Sequence, residues 1–359
     1  MAQEIIFKTF RTYTHPYLYD RNTNSATVLS DEEYRELRQV ERGEMPADQS
    51  SVVKRRQAQG LLKPSNVERI EHPETVMTEQ YLGTRMRQLT LQVTQQCNLR
   101  CGYCVYSGSY VGQRTHSTKR MDLLTAKKAI DFFLTRNSEI SDISIGFYGG
   151  EPLIEFDLIQ ECVDYAKSKV EGKRLSFTMT TNGTLLTDEV VAVLEKHDFH
   201  VNVSIDGSKE EHDANRRFAD GTGSFDIVME NIRRIRERFP SFNKNVSFMT
   251  TVNPHLDLDC VLEYFHTEEV FSDKSIIFNN MSEVHLDGGL QYGKDYYGVR
   301  NFEYTKLLLA LVGKLEFAYV SPLVSRAKGN IEQRQKSLLR HSALPPVCHF
   351  QSKHDQSHQ

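Results

Sequence analysis

The pattern of hydrophobic and polar positions changes near residue 88. Before it, two short β-prone runs in 17–29 flank a polar turn holding Asn22 and Asn24, the pattern of a hairpin. Ser30 ahead of Asp31, Glu32 and Glu33 marks a helix start, and Gly43 and Pro46 break that helix. A second helix fits 51–62 and ends at Lys63-Pro64. Hairpin, helix, helix outlines a small winged-helix-like module over residues 1–85, and the same outline also fits a packing extension of the main domain. Beyond residue 88, strands are expected at 91–94, 143–148, 175–180, 200–205, 246–252 and 275–278. Helices are expected at 122–135, 157–170, 187–196, 224–239, 258–267 and 302–317. Six strand–helix units in tandem predict an α/β fold with a parallel sheet, because a crossover helix is the usual link between parallel strands. Their even spacing suits a partial or closed barrel better than a doubly wound sheet. After residue 320 the pattern decays. Pro345-Pro346 is a breaker, and the polar, aperiodic tail 349–359 is expected to be disordered.

Composition narrows the classes. The 359 residues allow about two domains. At 39% hydrophobic and 26% charged residues the chain can bury a core. No apolar run approaches the roughly 18–20 residues that span a bilayer, and Met1-Ala2-Gln3-Glu4 does not open a secretory signal. A cytoplasmic protein with no membrane partner is the expectation. A net charge of −4 gives no electrostatic reason for a nucleic-acid partner. The chain has six Cys, and in such a setting they point toward metal or catalysis rather than a disulfide framework.

Three of those Cys fall in Cys97-Asn98-Leu99-Arg100-Cys101-Gly102-Tyr103-Cys104, a CxxxCxxC spacing. With six Cys in 359 residues, chance supplies about 0.002 such matches per chain. Three thiolates on one loop can clasp one face of an iron–sulfur cluster and leave one iron open. The alternative is a zinc site with a distant fourth ligand; the nearest His is His116. The loop follows the first strand, at the C-terminal mouth where parallel α/β folds build their sites. Tyr148-Gly149-Gly150-Glu151-Pro152 ends the second strand at the same mouth; its paired Gly permit close approach to a ligand, and Glu151 can receive an ammonium. Thr180-Thr181-Asn182-Gly183 and Ser204-Ile205-Asp206-Gly207 end the third and fourth, followed by His212-Asp213-Ala214-Asn215-Arg216-Arg217. These residues suit ribose and carboxylate oxygens, with Arg216 able to pair with a carboxylate, and they equally suit turns and helix caps. Cys162 and Cys260 fall in helices and read as core residues.

Taken together, these motifs resemble the radical SAM superfamily, over about residues 88–320, and the resemblance implies that the six units at 86–320 form a partial (βα)6 TIM-type barrel. The resemblance implies that Cys97, Cys101 and Cys104 hold one 4Fe-4S cluster whose open iron takes S-adenosyl-L-methionine (SAM). It implies SAM contacts at Tyr103, Gly149, Gly150, Glu151, Asn182 and Ser204, with Arg216 a looser match. It implies a 5′-deoxyadenosyl radical made with electrons from a flavodoxin- or ferredoxin-type reductant. More narrowly, YGGEPLI, TTNGTLLT, SIDG and HDANR resemble the peptide- and protein-modifying subgroup with a SPASM-type C-terminal extension. That subgroup implies a Cys-containing precursor peptide as substrate, a thioether or related crosslink as product, and leader binding along a sheet edge of residues 1–85. Oxidation of a protein side chain, as by anaerobic sulfatase maturases, is the alternative; a catalytically silent peptide-binding chain is another. The extension normally carries several Cys for auxiliary clusters. Here only Cys348 lies beyond the barrel, so residues 321–359 read as its truncated start.

Overall fold

The computed structural model describes residues 5–64, 75–324 and 327–331. The tail and Cys348 lie outside them. The main division of the chain falls between Thr78 and Glu79. Each of the two units has its own apolar cluster.

In the first unit, strands β1 (Phe7–Arg11), β2 (Pro16–Asp20) and β3 (Ser25–Val28) form an antiparallel sheet in chain order. The expected hairpin is β2–β3. The strand β1 was not expected, since Phe7-Lys8-Thr9-Phe10-Arg11 mixes charge with aromatics, as an edge strand does. Helix α1 (Asp31–Glu41) starts with a full capping box: Ser30 Oγ accepts from the Glu33 N–H, and the Glu33 carboxylate accepts from the Ser30 N–H. Helix α2 (Ser51–Ala58) is capped by Ser50, whose hydroxyl also donates to Glu36 at 2.6 Å and ties the two helices together. It stops four residues before the expected end, because Gly60 and Leu62 take left-handed φ values of 89° and 48°. Leu18, Leu29, Leu37, Val52, Val53 and Leu62 close the core.

The second unit begins with α3 (Thr78–Thr84). It continues as β4 (Gln88–Thr94), α4 (Leu123–Leu134), β5 (Asp142–Gly149), α5 (Phe156–Lys169), β6 (Arg174–Thr181), α6 (Asp188–Lys196) and β7 (Phe199–Ser204). Then come α7 (Lys209–Asn215), α8 (Phe225–Arg238), α9 (Pro240–Asn243), β8 (Val246–Val252), α10 (Leu258–Thr267), β9 (Ile276–Asn280) and α11 (Tyr296–Leu311). The six strands are all parallel and lie side by side in chain order, β4 to β9. A doubly wound sheet reverses its order at a switch point; this one never does, and with β4 and β9 not paired to each other it is the six-stranded partial barrel that the resemblance implies. Side-chain caps start the crossover helices where polar residues precede apolar runs: Asp122 for α4, Thr187 for α6 and Asp257 for α10. Two expectations need correction. Helix α11 starts six residues before 302, and Gly313, at φ 71°, follows its end. Cys260 is exposed, because Leu258, Val261 and Phe265 take the inward face of α10; only Cys162, on α5, is a core residue.

The strands alternate in a way that matters for function. Leu91, Val93, Ile143, Ile145, Phe147, Phe177, Met179, Phe199, Val201, Val203 and Phe248 point into the helix-backed core. Phe147, Phe177 and Phe199, from three neighbouring strands, stack with centroids 5.3–6.4 Å apart. The other face carries Gln88, Thr90, Gln92, Ser144, Gly146, Ser176, Thr178, Thr180, Asn202 and Thr251, most of them partly open to solvent. The parallel strands of a filled barrel are apolar on both faces. Here the concave face is mainly polar along β4 to β7, while Tyr148, Met249 and Ile277 add apolar surface to it, a lumen suited to a guest with both hydrogen-bonding and apolar groups.

Candidate functional site

The three Cys sit on the loop that leaves β4, at the C-terminal mouth of the sheet. The end of β5 is pressed against that loop. The Gly150 N–H donates to Thr94 O at 3.0 Å, and the Glu151 N–H to Gln96 O at 2.9 Å. A Cβ on Gly149 would lie 2.4 Å from Thr94 O; one on Gly150 would lie 2.2 Å from Gln96 O and 2.9 Å from Cys97 N. These glycines are thus required by close backbone approach. The backbone they approach is the cysteine loop itself, a contact that the expected approach to a ligand did not include.

Glu151 also differs from expectation. Its carboxylate is wholly buried and already accepts from Leu153 N (3.1 Å), Thr181 Oγ1 (2.8 Å) and Asn182 N (2.7 Å). It joins the ends of β5 and β6, so its side chain is not placed to receive an ammonium. Burial pushes its pKa up to about 7, against the pull of those hydrogen bonds. Asn182 carries the connection onward. Its amide donates to Asn98 at 2.8 Å, approaches Cys97 Sγ at 3.9 Å, and accepts from Thr184. Asn98 in turn donates to Thr184 Oγ1 at 2.8 Å. Asn98 and Thr184 were not singled out from the sequence. The signal for them was their place inside motifs already read, one in the cysteine loop and one just after Asn182-Gly183.

On the opposite side the loop is clasped by the segment after β7. The Arg100 N–H donates to Arg217 O (2.7 Å), and the Gly102 N–H to Asn215 O (3.0 Å). The Tyr103 hydroxyl donates to Asp206 at 2.5 Å, and Tyr110 donates back to Tyr103 O at 3.1 Å. Asp206 also accepts from Arg216 Nε at 2.9 Å. Arg216, expected to meet a cofactor carboxylate, is therefore buried against a carboxylate of the chain itself. Ser204 ends β7 at the same rim and is buried. The structure thus brings Cys97, Cys101, Cys104, Tyr103, Gly149, Gly150, Glu151, Asn182, Ser204 and Arg216 to one end of the sheet.

The donor set suits an iron–sulfur cluster. Backbone N–H groups of Leu99 and Tyr106 donate to Cys97 Sγ and Cys104 Sγ, each at 3.4 Å, and such bonds support thiolate charge. Burial holds all three thiols above the ordinary cysteine range, Cys101 up to about 12, so ligation is what would strip their protons. Among the described residues no group of three or more His, Cys, Asp or Glu is placed to hold a metal ion.

Residues 91–267 match the family model of the Radical SAM superfamily. The chain is 32% identical over 195 residues to an uncharacterized protein of Methanocaldococcus jannaschii, a match covering 54% of this chain and 62% of that protein. It is 27% identical over 180 residues to the cysteine-type anaerobic sulfatase-maturating enzyme of Clostridium novyi, covering 49% of this chain and 46% of that enzyme. The structure of native anSMEcpe with bound AdoMet superposes with a TM-score of 0.51 at 21% identity, covering 64% of this chain and 63% of the other, and shows the shared fold. The chain spans less than two thirds of each of these relatives.

Proposed function

We propose that this chain, whose residues 91–267 are a radical SAM domain, modifies a side chain of a Cys-containing peptide. The superfamily binds a 4Fe-4S cluster and SAM. In our reading Cys97, Cys101 and Cys104 hold the cluster. Tyr103, Asn182, Ser204 and the backbone of Gly149–Glu151 line the SAM pocket. A bound cluster would supply the electron for reductive cleavage of SAM, and SAM would supply the 5′-deoxyadenosyl radical chemistry by which a substrate hydrogen is abstracted. The chain's own residues do the rest. Glu151 and Asn182 fix the cysteine loop to β5 and β6, and Asp206 and Tyr103 fix it to β7. The polar lumen hydrogen-bonds the guest and limits its approach to one direction. An external reductant of flavodoxin or ferredoxin type completes the cycle. Among the described residues no helix is long and apolar enough to cross a membrane.

The observation that carries this reading is a three-cysteine loop held at the mouth of a hydrogen-bonding lumen. Reconstituted full-length protein with SAM and dithionite, kept anaerobic, should form 5′-deoxyadenosine well above a Cys97→Ala control. Equal amounts from both would overturn it. A thioether or related crosslink is the first product to seek, and oxidation of a side chain in a folded protein is the second reading, favoured by the Clostridium novyi relative. Mass spectrometry separates them: a crosslink removes two hydrogens and keeps the sulfur, whereas oxidation of Cys to an aldehyde expels it. The first unit is the leader-binding domain in this proposal, and strand addition needs a free sheet edge. The Thr9 N–H, on β1, already points at Glu41 of α1. On β3, the Leu29 N–H donates inward to Pro16 O, so by alternation the N–H groups of Ala26 and Val28 point outward; the Val28 carbonyl already accepts from Arg56 at 3.5 Å, which leaves Ala26 as the open position of this edge. We assign the leader to β3.

A further inference from the structure

We propose that the exposed rim of the cysteine loop, marked by Arg100, Lys119 and Arg217, is the docking surface for a small acidic one-electron carrier protein. This rests on the reading that Cys97, Cys101 and Cys104 hold the cluster. Residues 95–121, which lead from β4 toward α4, contain Arg100, Arg114, Lys119 and Arg120 and no Asp or Glu. The chain as a whole has the opposite balance, 48 Asp and Glu against 44 Lys and Arg. Arg100, Lys119 and Arg217 are exposed. Leu99 and Phe218 form an antiparallel bridge, and the Arg100 N–H donates to Arg217 O at 2.7 Å, which sets the two arginines side by side. Both are held by neutral groups. Arg100 Nη1 donates to Cys97 O at 2.6 Å and to Leu99 O at 2.8 Å, and Arg217 Nε donates to Asp213 O at 2.6 Å. Lys119 joins the same loop through its backbone: its carbonyl accepts at 2.8 Å from the N–H of Gln95, two residues before Cys97.

These three charges are not cancelled locally. Among the described residues, no carboxylate oxygen lies within 4.0 Å of a side-chain nitrogen of Arg100, Lys119 or Arg217. Arg120, by contrast, pairs with Glu155 at 3.8 Å. Asp213 and Asp220, close to Arg217 in the chain, turn Oδ1 to the N–H groups of Ser224 and Phe225 and of Thr222. Two cations side by side repel each other, and an anionic partner seated over them relieves that repulsion. Their position says which kind of anionic partner fits. Arg100 stands between Cys97 and Cys101 and is bonded to the carbonyl of the first. Electron transfer slows exponentially with separation, so a carrier must seat against the ligand loop itself. There the reduced carrier gives up one electron and leaves oxidised, the cluster gains that electron, and no atom is exchanged. Complementary charge steers the carrier to this rim and speeds the encounter. The plainer role is a solvated cationic rim without a partner, in which case these charges matter no more to the carrier than any others on the surface.

Full-length protein, reconstituted anaerobically, would receive electrons either from a reduced acidic flavodoxin or from the methyl viologen radical, a small cation that gains nothing from a cationic docking surface. Wild type, Lys119→Glu, Arg217→Gln and Lys244→Glu would be compared in iron content, in the rate of 5′-deoxyadenosine formation, and in the Kd of oxidised flavodoxin by titration calorimetry. Lys244 is exposed just before β8, at the opposite end of the sheet. Lys119→Glu should bind flavodoxin about tenfold more weakly and lose about as much of the flavodoxin-driven rate. Arg217→Gln should shift the same way, and viologen-driven rates should stay at the wild-type level. Lys244→Glu, with the same change in net charge as Lys119→Glu, should match the wild type throughout. Raising the salt from about 0.05 to 0.5 M should remove most of the wild type's advantage over Lys119→Glu. Equal Kd values in the wild type and both rim variants, an equal loss in Lys244→Glu, or wild-type binding indifferent to salt would overturn the proposal. Should one rim variant fail to take up iron, the other decides by the same rule. A wild type that cleaves SAM with viologen but binds no flavodoxin would sink the docking surface alone. A wild type that makes no 5′-deoxyadenosine with viologen would defeat the ligand assignment itself.

Discussion

His212 shows how one side chain can report on the site without entering its chemistry. It is fully buried on α7, behind Asp206 and Arg216. The Asp206 N–H points at its Nδ1 at 3.4 Å, and its Nε2 lies 3.0 Å from Ser224 Oγ. Ser224 must donate its own hydrogen to Arg216 O at 2.8 Å, so Nε2 carries the proton and Nδ1 is bare. A second proton on Nδ1 would face an N–H. Burial first, and then the Arg216 charge, push the pKa down from its ordinary 6.5 to about 4, against the pull of Asp206 and Asp213. The unfolded chain therefore takes up a proton near pH 6.5 that the folded chain refuses until about pH 4. Stability from this group is complete above pH 6.5 and is lost as the pH falls through that window. Between pH 7.5 and 5 the loss should be about 2 kcal/mol. Urea unfolding at the two pH values should show His212→Asn less stable at pH 7.5 but flatter in pH. An equal pH slope in both proteins would show that the imidazole is not held neutral.

At the scale of elements, the mouth depends on the ends of β4 and β5 touching through backbone alone. Gly150→Ala puts a methyl group 2.2 Å from Gln96 O, and backbone cannot yield as a flexible side chain can. The loop holding Cys97 must shift, so iron uptake should collapse while the far-ultraviolet circular dichroism of the barrel stays unchanged. Gly298→Ala is the matched control. It lies within α11 with nothing near its Cβ position. It should load normally and gain about 0.5–1 kcal/mol of stability. Normal iron content in Gly150→Ala would show that the close approach is dispensable. The elements themselves were legible in the sequence. Strand and helix periodicities place all six barrel units, and CxxxCxxC with Gly149-Gly150 at adjacent strand ends marks the mouth. What periodicity left out are contacts set by tertiary packing: the turn of the Glu151 carboxylate inward onto β6, the Arg216–Asp206 pair, and the outward face of Cys260. The alternation in Thr90-Leu91-Gln92-Val93 and Ser176-Phe177-Thr178-Met179 is written plainly, and followed across the strands it forecasts the polar lumen.

For the whole molecule, the proposed function divides the work between two units with separate cores, and that division can be tested without cutting the chain. Substrate recognition is assigned to the edge of β3 and radical chemistry to the mouth of the second unit. Ala26 is exposed, lies mid-strand, and directs its N–H away from β2. Proline is tolerated on an edge strand when the lost N–H faces outward, so Ala26→Pro should leave the β2–β3 ladder and the fold intact. It removes one donor that an added strand must use, and its ring blocks the approach of that strand. Modification of a precursor peptide should fall at least tenfold, chiefly through a raised KM, while 5′-deoxyadenosine formed without peptide stays at the wild-type level. Thr27→Pro is the contrasting change: its N–H faces β2, so it should destabilise the first unit outright. If Ala26→Pro leaves peptide modification untouched, the leader does not bind along β3. If it also abolishes cleavage of SAM without peptide, recognition and chemistry are not separable in the way the two cores suggest.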